Sequence, residues 1–381
     1  MCSIKKVSLS LLLLFAFLIF NSISVLGASA DEYLDKAKRA GDEAKFNDAI
    51  ELCKKALEKD NINIKAMNYL ADLYIEISKF EDALLILDRA YYLQSEENAN
   101  YAETLYYFGS LFSSQGDYEQ SLSYLSKSLT IREKVLGAQH NDVADCYVRM
   151  GEVFNKKRIY NKALEYHLKA LDIREKNLGP NHKKTAESYA WIGLAYNKQG
   201  LYNKALTYFF KALAIYEKNN GEATTETAST YNNIGLAYSM QSKYTDALKY
   251  LEKAQTIYEK NLGKNHVYTA ETYKNMGIVY QRERKYEDAL RYFFKNLVVI
   301  ESNYGQKHPD TASAYQNIAA TNYELGNYKK ALLYADIAKD IRKDFFGQNG
   351  NETKDSYQLL SQIYSQLGDN KKADVYLKLS Q

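Results

Sequence analysis

Apolar residues between Thr185 and Thr225 recur with helical spacing. Tyr189, Ile192, Gly193 and Tyr196 follow the i, i+3, i+4, i+7 rule, which puts them on one face of an amphipathic helix. Gly200-Leu201 breaks that helix. A second stripe follows at Tyr202, Ala205, Leu206, Phe209, Ala212, Leu213 and Tyr216. Asn219-Asn220-Gly221 ends it, with Gly221 available for the left-handed cap conformation. The pattern predicts a helical hairpin with a loop of several residues to the next unit.

The hairpin repeats. Tyr118, Tyr160, Tyr202, Tyr244, Tyr286 and Tyr328 stand 42 residues apart, and Asn370 keeps the register one step further. Phe46 and Phe80 extend it backwards at spacings of 34 and 38. Self-similarity of this length is the signature of a solenoid, in which each unit contacts only its neighbours. One elongated body is therefore expected over residues 31–381, in place of two or three globular domains.

Nine residues before each ruler position stands a small residue: Gly109, Gly151, Gly193, Gly235 and Gly277, with Ala37, Ala71, Ala319 and Ser361 in the other units. Glycine inside a helix costs about 0.5–1 kcal/mol relative to alanine, so close helix–helix approach is the expected compensation. Ala163, Ala205, Ala247, Ala289 and Ala331, three residues after each ruler tyrosine, are expected to face it. Tyr147, Tyr189, Tyr231, Tyr273, Tyr315 and Tyr357 recur on the first helix as core, each contributing roughly 1.5–3 kcal/mol if fully buried.

The order aromatic-x-x-Ile-Gly-x-x-Tyr, then Gly-x-Tyr-x-x-Ala-x-x-x-Phe-x-x-Ala, resembles the tetratricopeptide repeat, and Tyr189, Ile192, Gly193, Tyr196, Gly200, Tyr202, Ala205, Phe209 and Ala212 carry it. The longer unit is similar to the kinesin-light-chain type, through the phrase Ala170-Leu171-Asp172-Ile173-Arg174-Glu175-Lys176-Asn177-Leu178-Gly179-Pro180 and its echo at Ile131 to Gly137. The resemblance covers residues 31–381 and implies an all-α fold, a right-handed α-solenoid of about nine helical hairpins. It also implies a concave groove lined by the first helices, where a peptide or protein segment binds. No heptad coiled coil precedes the repeats, so the motor-linked role of kinesin light chains is not implied.

Residues 1–30 differ. Lys5 and Lys6 precede an apolar run from Val7 to Phe20, and Ala28-Ser29-Ala30 offers a small-x-small cleavage site. That layout predicts a signal peptide and a secreted or periplasmic product; an uncleaved N-terminal anchor helix is the alternative. Removing it leaves 48 basic against 47 acidic residues. No basic stripe stands out, so neither nucleic acid nor a membrane surface beyond the signal is an expected partner. Cys53 and Cys146 fall in distant units, too far apart for a disulfide, and are expected as buried thiols.

Chemistry is sparse. His140, His182, His266 and His308 recur in one inter-repeat loop, so they are spread along the array and read as loop or cap residues without a metal site. His167 takes the place that Phe209 takes in the next unit, a core or edge position. No triad, phosphate loop or Cys-x-x-Cys is present, so no enzyme, no cofactor and no metal are expected. The candidate groove residues come from two register positions. Tyr107, Arg149, Trp191, Asn233, Asn275 and Asn317 precede the small slot by two, and Lys156, Lys198 and Arg282 follow it by five. The three asparagines form a ladder of amides suited to an extended peptide backbone, or framework residues bonding neighbouring helices. Tyr107 and Trp191 are candidate aromatic anchors, with ordinary packing as the alternative for Trp191. The four cations suit acidic groups. Residues 369–380 read as a polar capping helix that completes the molecule, and self-association through exposed edges is the alternative to groove binding.

Overall fold

The computed structural model describes residues 28–42, 45–220 and 223–381. The apolar run read as a signal peptide and the Gly221 cap lie outside these residues. The described chain is all-α, with 18 helices and no strand. It divides into two compact units, one ending at Gln115 and the other running from Gly116 to Gln381.

The first unit holds α1 (Ala30–Asp42), α2 (Phe46–Lys59), α3 (Ile64–Glu76), α4 (Phe80–Tyr92) and α5 (Ala99–Gln115). Its core joins Leu34 and Ala37 of α1, Ile50, Cys53 and Ala56 of α2, and Leu70 and Leu73 of α3.

The second unit opens with α6 (Tyr118–Leu136). Hairpins follow: α7 (Asn141–Lys156) with α8 (Tyr160–Leu178), α9 (Lys183–Lys198) with α10 (Tyr202–Asn220), and α11 (Thr225–Met240) with α12 (Tyr244–Asn261). Then come α13 (Val267–Arg282) with α14 (Tyr286–Tyr304), α15 (Pro309–Glu324) with α16 (Tyr328–Phe346), and α17 (Asn351–Gln366) with α18 (Asn370–Leu379). Every ruler residue, from Phe46 to Asn370, is the first residue of a second helix. The second helix lengthens from 14 residues in α2 to 19 in α8, which accounts for much of the longer repeat.

The small slots are where helices meet. A β-carbon on Gly235 would lie 2.8 Å from Leu251 and 3.0 Å from the Ala247 carbonyl oxygen, so the alanine row does face the glycine row. The aromatics close each hairpin. Tyr196 stacks on Tyr208 with centroids 5.5 Å apart, and Tyr238 on Tyr250 at 5.7 Å. Tyr376 of α18 stacks on Tyr364 at 5.6 Å, which seats the last helix on α17.

Polar contacts repeat with the same period. Each of His140, His182, His266 and His308 caps its helix by accepting, at Nδ1, the backbone N–H two residues on, at 3.1–3.2 Å. That acceptor exists only on the neutral ring. Asn261 and Asn303 donate their side-chain amides to the carbonyls of Ala223 and Asn265, at 2.7 and 2.9 Å, and Asn177 and Asn219 do the same to Gln139 and Asn181. Each of these bonds ties the end of a second helix to the preceding inter-repeat loop. Cys53 and Cys146 are buried free thiols; burial pushes Cys53 up to about 12 and also raises Cys146.

Candidate ligand-binding site

Fourteen residues after each ruler tyrosine from Tyr118 to Tyr328, the chain makes a choice that decides where the surface opens. Arg132, Arg174, Tyr216, Tyr258, Ile300 and Arg342 occupy one register position, 42 residues apart, near the ends of α6, α8, α10, α12, α14 and α16. The three arginines are buried. Arg174 donates to the Lys184 carbonyl and to the Ser188 hydroxyl, both at 2.9 Å. Arg342 repeats this with the Glu352 carbonyl at 3.0 Å and Ser356 at 2.9 Å. Arg132 reaches the Asp142 carbonyl at 2.6 Å and Cys146 Sγ at 3.3 Å. A guanidinium thus fills the space beneath the first turn of α7, α9 and α17.

Where tyrosine or isoleucine replaces the arginine, pockets open. The larger has a volume of about 670 Å³, within the range of ligand sites. Tyr216 and Tyr258 line it, beside Lys183, Lys184, Glu187, Trp191 and Leu194 of α9. Glu226, Ser229, Thr230 and Asn233 of α11 and Tyr268 and Glu271 of α13 complete it. A second pocket of about 250 Å³ includes Ile300 and shares Tyr268 and Glu271 with the first. The two are consecutive intervals of one first-helix face.

Their electrostatics lean negative at the α11–α13 end. Burial, then the nearby Glu187 and Glu226 carboxylates, raise the Tyr216 phenol above its ordinary value. Burial and Glu271 do the same to Tyr258. Glu187 is partly neutralised by Arg174 at 3.2 Å, and Lys184 is drawn to Asp145 at 3.1 Å. Burial works to raise the Asp145 carboxyl, but Arg174 and Lys184 outweigh it and hold the group below its usual value.

The candidate residues distribute unevenly over this geometry. Trp191 lines the large pocket and also stacks on His167, with centroids 5.8 Å apart and rings 14° from parallel. Asn233 lines the pocket as well. Asn275 is only 3% exposed, which removes its amide from the face and breaks the three-membered ladder; Asn317 is half-buried. The framework bond across this interval comes instead from the neighbouring Asn232, which donates to Thr272 at 3.1 Å. Arg149 is half-buried and paired with Glu152 at 2.8 Å. Lys156, Lys198 and Arg282 are exposed at the C-terminal ends of α7, α9 and α13, beyond the residues that line the pockets. Tyr107 belongs to the first unit, half-buried and edge-on to Tyr106 at 5.3 Å. Sequence reading did not place Glu226, Glu271, Tyr216 or Tyr258 at a site; the replacement of arginine by tyrosine at one register position was the available signal.

His167 is core. It is fully buried against Gly151 and shares a 3.2 Å hydrogen bond with Asn155, and burial pushes it down to about 3. Among the described residues, no group of three or more His, Cys, Asp or Glu is placed to hold a metal ion, and no helix is long and apolar enough to cross a membrane.

The fold has relatives among solved structures. A Rap protein complexed with Competence and Sporulation Factor is 16% identical, covering 92% of this chain and 95% of its own, with a TM-score of 0.64. The apo quorum sensor NprR from B. thuringiensis is 18% identical, covering 91% and 96%, with a TM-score of 0.58. BtubC (BKLC) from P. vanneervenii is 22% identical over 60% of this chain and 92% of that one, with a TM-score of 0.49. A comparison with curated proteins finds no match. One family model, described as tetratricopeptide repeat, matches residues 100–158, 147–218, 226–295 and 275–344. Two others of the same description match 42–105 and 354–380. With hairpins, small slots and family matches running along the same residues, the chain belongs to the tetratricopeptide repeat family.

Proposed function

We propose that this protein is a non-catalytic scaffold that binds a segment of a partner protein along the first-helix face of its second unit. The carrying observation is the open pocket of about 670 Å³ over Tyr216 and Tyr258. It pairs an aromatic wall with carboxylates and the Asn233 amide, the mixture that fixes a ligand's orientation. Trp191 and Asn233 contact the segment there, and the exposed Lys198 and Arg282 meet its flanks. The complex of a similarly folded Rap protein with Competence and Sporulation Factor is in keeping with this reading. We further propose export, on the strength of Lys5, Lys6, the apolar run and Ala28-Ser29-Ala30. N-terminal sequencing of the protein recovered from its native source tests that; a product beginning at Met1 would overturn cleavage.

Groove binding is tested with peptides selected against the full chain by phage display. Trp191 is the sole tryptophan, so its emission reports occupancy of the pocket directly. Ser229 is exposed on the pocket wall, and Ser229→Phe narrows the cavity, with circular dichroism as the check on folding because Ser229 also hydrogen-bonds the buried Tyr258. Selected peptides should shift Trp191 emission and lose about tenfold or more in affinity to Ser229→Phe. Peptides that bind both proteins equally and leave the emission unchanged would place recognition elsewhere.

A further inference from the structure

We infer that the large pocket receives a guanidinium or ammonium group from a basic segment of the partner protein. This deepens the groove reading and rests on it. The argument begins with what the chain itself puts in the equivalent place. In three of the six register positions the side chain is an arginine, bonded to a first-turn carbonyl and to a hydroxyl or thiol four residues beyond it. The Tyr216 and Tyr258 repeats keep those acceptors and lose the cation. The corresponding groups are the Glu226 carbonyl with Thr230, and the Tyr268 carbonyl with Thr272. Each carbonyl there receives a threonine hydroxyl, at 2.8 and 3.2 Å, as Ser188 and Ser356 supply in the arginine repeats, and the register offers no arginine; Thr272 also accepts from Asn232 at 3.1 Å.

One carboxylate of each flanking pair is retained too. Arg174 is flanked by Asp145 at 2.6 Å and Glu187 at 3.2 Å. Those two positions, carried forward by the 42-residue register, give Glu187 and Ser229 beside Tyr216, and Ser229 and Glu271 beside Tyr258. Glu226 adds a third carboxylate to the pocket, and both Glu226 and Glu271 are exposed. Trp191 and Tyr268 present aromatic rings, which favour a cation by about 0.5–1 kcal/mol at exposed sites. The pocket's own lysines do not reverse this. Lys184 is drawn away to Asp145, and Lys183 is an exposed residue of α9, the helix that also carries Glu187. The adjoining pocket continues the acidic lining through Glu271 and Asp310, with Lys274 lying 4.0 Å from Glu271.

The test titrates the full chain with hexa-arginine, hexalysine and hexaglutamate peptides at physiological ionic strength, following Trp191 emission. Hexa-arginine and hexalysine should bind about tenfold or more tightly than hexaglutamate. The double variant Glu226→Gln, Glu271→Gln should weaken hexa-arginine by about tenfold, with circular dichroism unchanged because both side chains are exposed. Asp336→Asn with Asp340→Asn, on α16, should leave it unaltered. Equal weakening by both pairs would mean general attraction to an acidic surface and would overturn the inference. Tighter binding of hexaglutamate would also overturn it, while leaving groove binding in place. If no peptide of either charge moves Trp191, groove binding itself fails.

Discussion

A β-carbon on Gly193 would lie 2.6 Å from the ring of Phe209, inside any real contact distance. The relation recurs between Gly151 and His167, Gly235 and Leu251, and Gly277 and Phe293. Where the second position shrinks to Ala335, the slot carries Ala319, and both are fully buried. A ring at the partner position thus goes with glycine in the slot. Gly193→Ala should lower stability by about 1–3 kcal/mol through overpacking, although alanine improves helix propensity by about 0.5–1 kcal/mol. Thermal unfolding followed by circular dichroism measures this. Adding Phe209→Leu should restore part of the loss, and a stabilising Gly193→Ala would contradict the packing argument.

The turn inside each hairpin makes the opposite prediction. Gly200, Gly326 and Gly368 hold φ of 77–80°, and the equivalent Arg158, Ser242 and Arg284 are forced to 60–62°. A side chain in that region is strained and glycine is not. Arg284→Gly should raise stability by about 0.5–1 kcal/mol, a net of relieved strain against a more flexible unfolded chain. The three substitutions are 42 residues or more apart and should add. A drop in melting temperature for Arg158→Gly and Arg284→Gly alike would show that the left-handed turn carries no strain.

What the sequence disclosed and what it hid divide along a physical line. Helix starts, small slots and capping histidines depend on one residue type at one register, and a 42-residue ruler exposes them. The Gly193–Phe209 contact spans 16 residues and two helices, so spacing alone suggested the alanine row and not the ring. The pocket is harder still, since it arises from the loss of an arginine side chain. Reading Tyr216 against Arg174 requires knowing that Arg174 points beneath α9. Asn275 shows a related limit: its register matches that of Asn233, yet local packing buries Asn275 and leaves Asn233 half-buried on the pocket wall.

His167 should leave a signature in the pH dependence of stability. The folded ring is held neutral, its value pushed down to about 3 by burial and then by Arg174, against an unfolded value near 6.5. Below about 6.5 the unfolded chain binds a proton that the folded one refuses. The stabilisation is thus complete above 6.5 and is lost as pH falls toward 3, with a slope approaching ~1.4 kcal/mol per unit. His167→Phe places opposite Gly151 the residue found opposite Gly193 and Gly277. It should be within about 1 kcal/mol of the native protein at pH 7, since only the Asn155 bond is lost. At pH 4 it should be the more stable of the two. Parallel melting-temperature profiles from pH 7 to pH 4 would refute the buried neutral imidazole.

Arg174 carries the heaviest electrostatic load of the second unit, with its side chain 3% exposed and bonded to a carbonyl, a hydroxyl and two carboxylates. Arg174→Met keeps much of the apolar stem and removes the guanidinium. Breaking a buried pair from one side costs about 3–5 kcal/mol, because the partner charge stays behind. Here the group left behind is Asp145, whose carboxyl is held low by Arg174 and Lys184 against the pull of burial. Native stability from Asp145 is present above the usual carboxylate range and is lost as pH falls through its depressed folded value. In Arg174→Met burial should prevail and raise that carboxyl. The variant's deficit should then shrink on acidification through the carboxylate range, as Asp145 takes up a proton. A deficit constant from pH 7 to pH 4 would assign the loss to packing alone and would show that the Arg174–Asp145 attraction adds little.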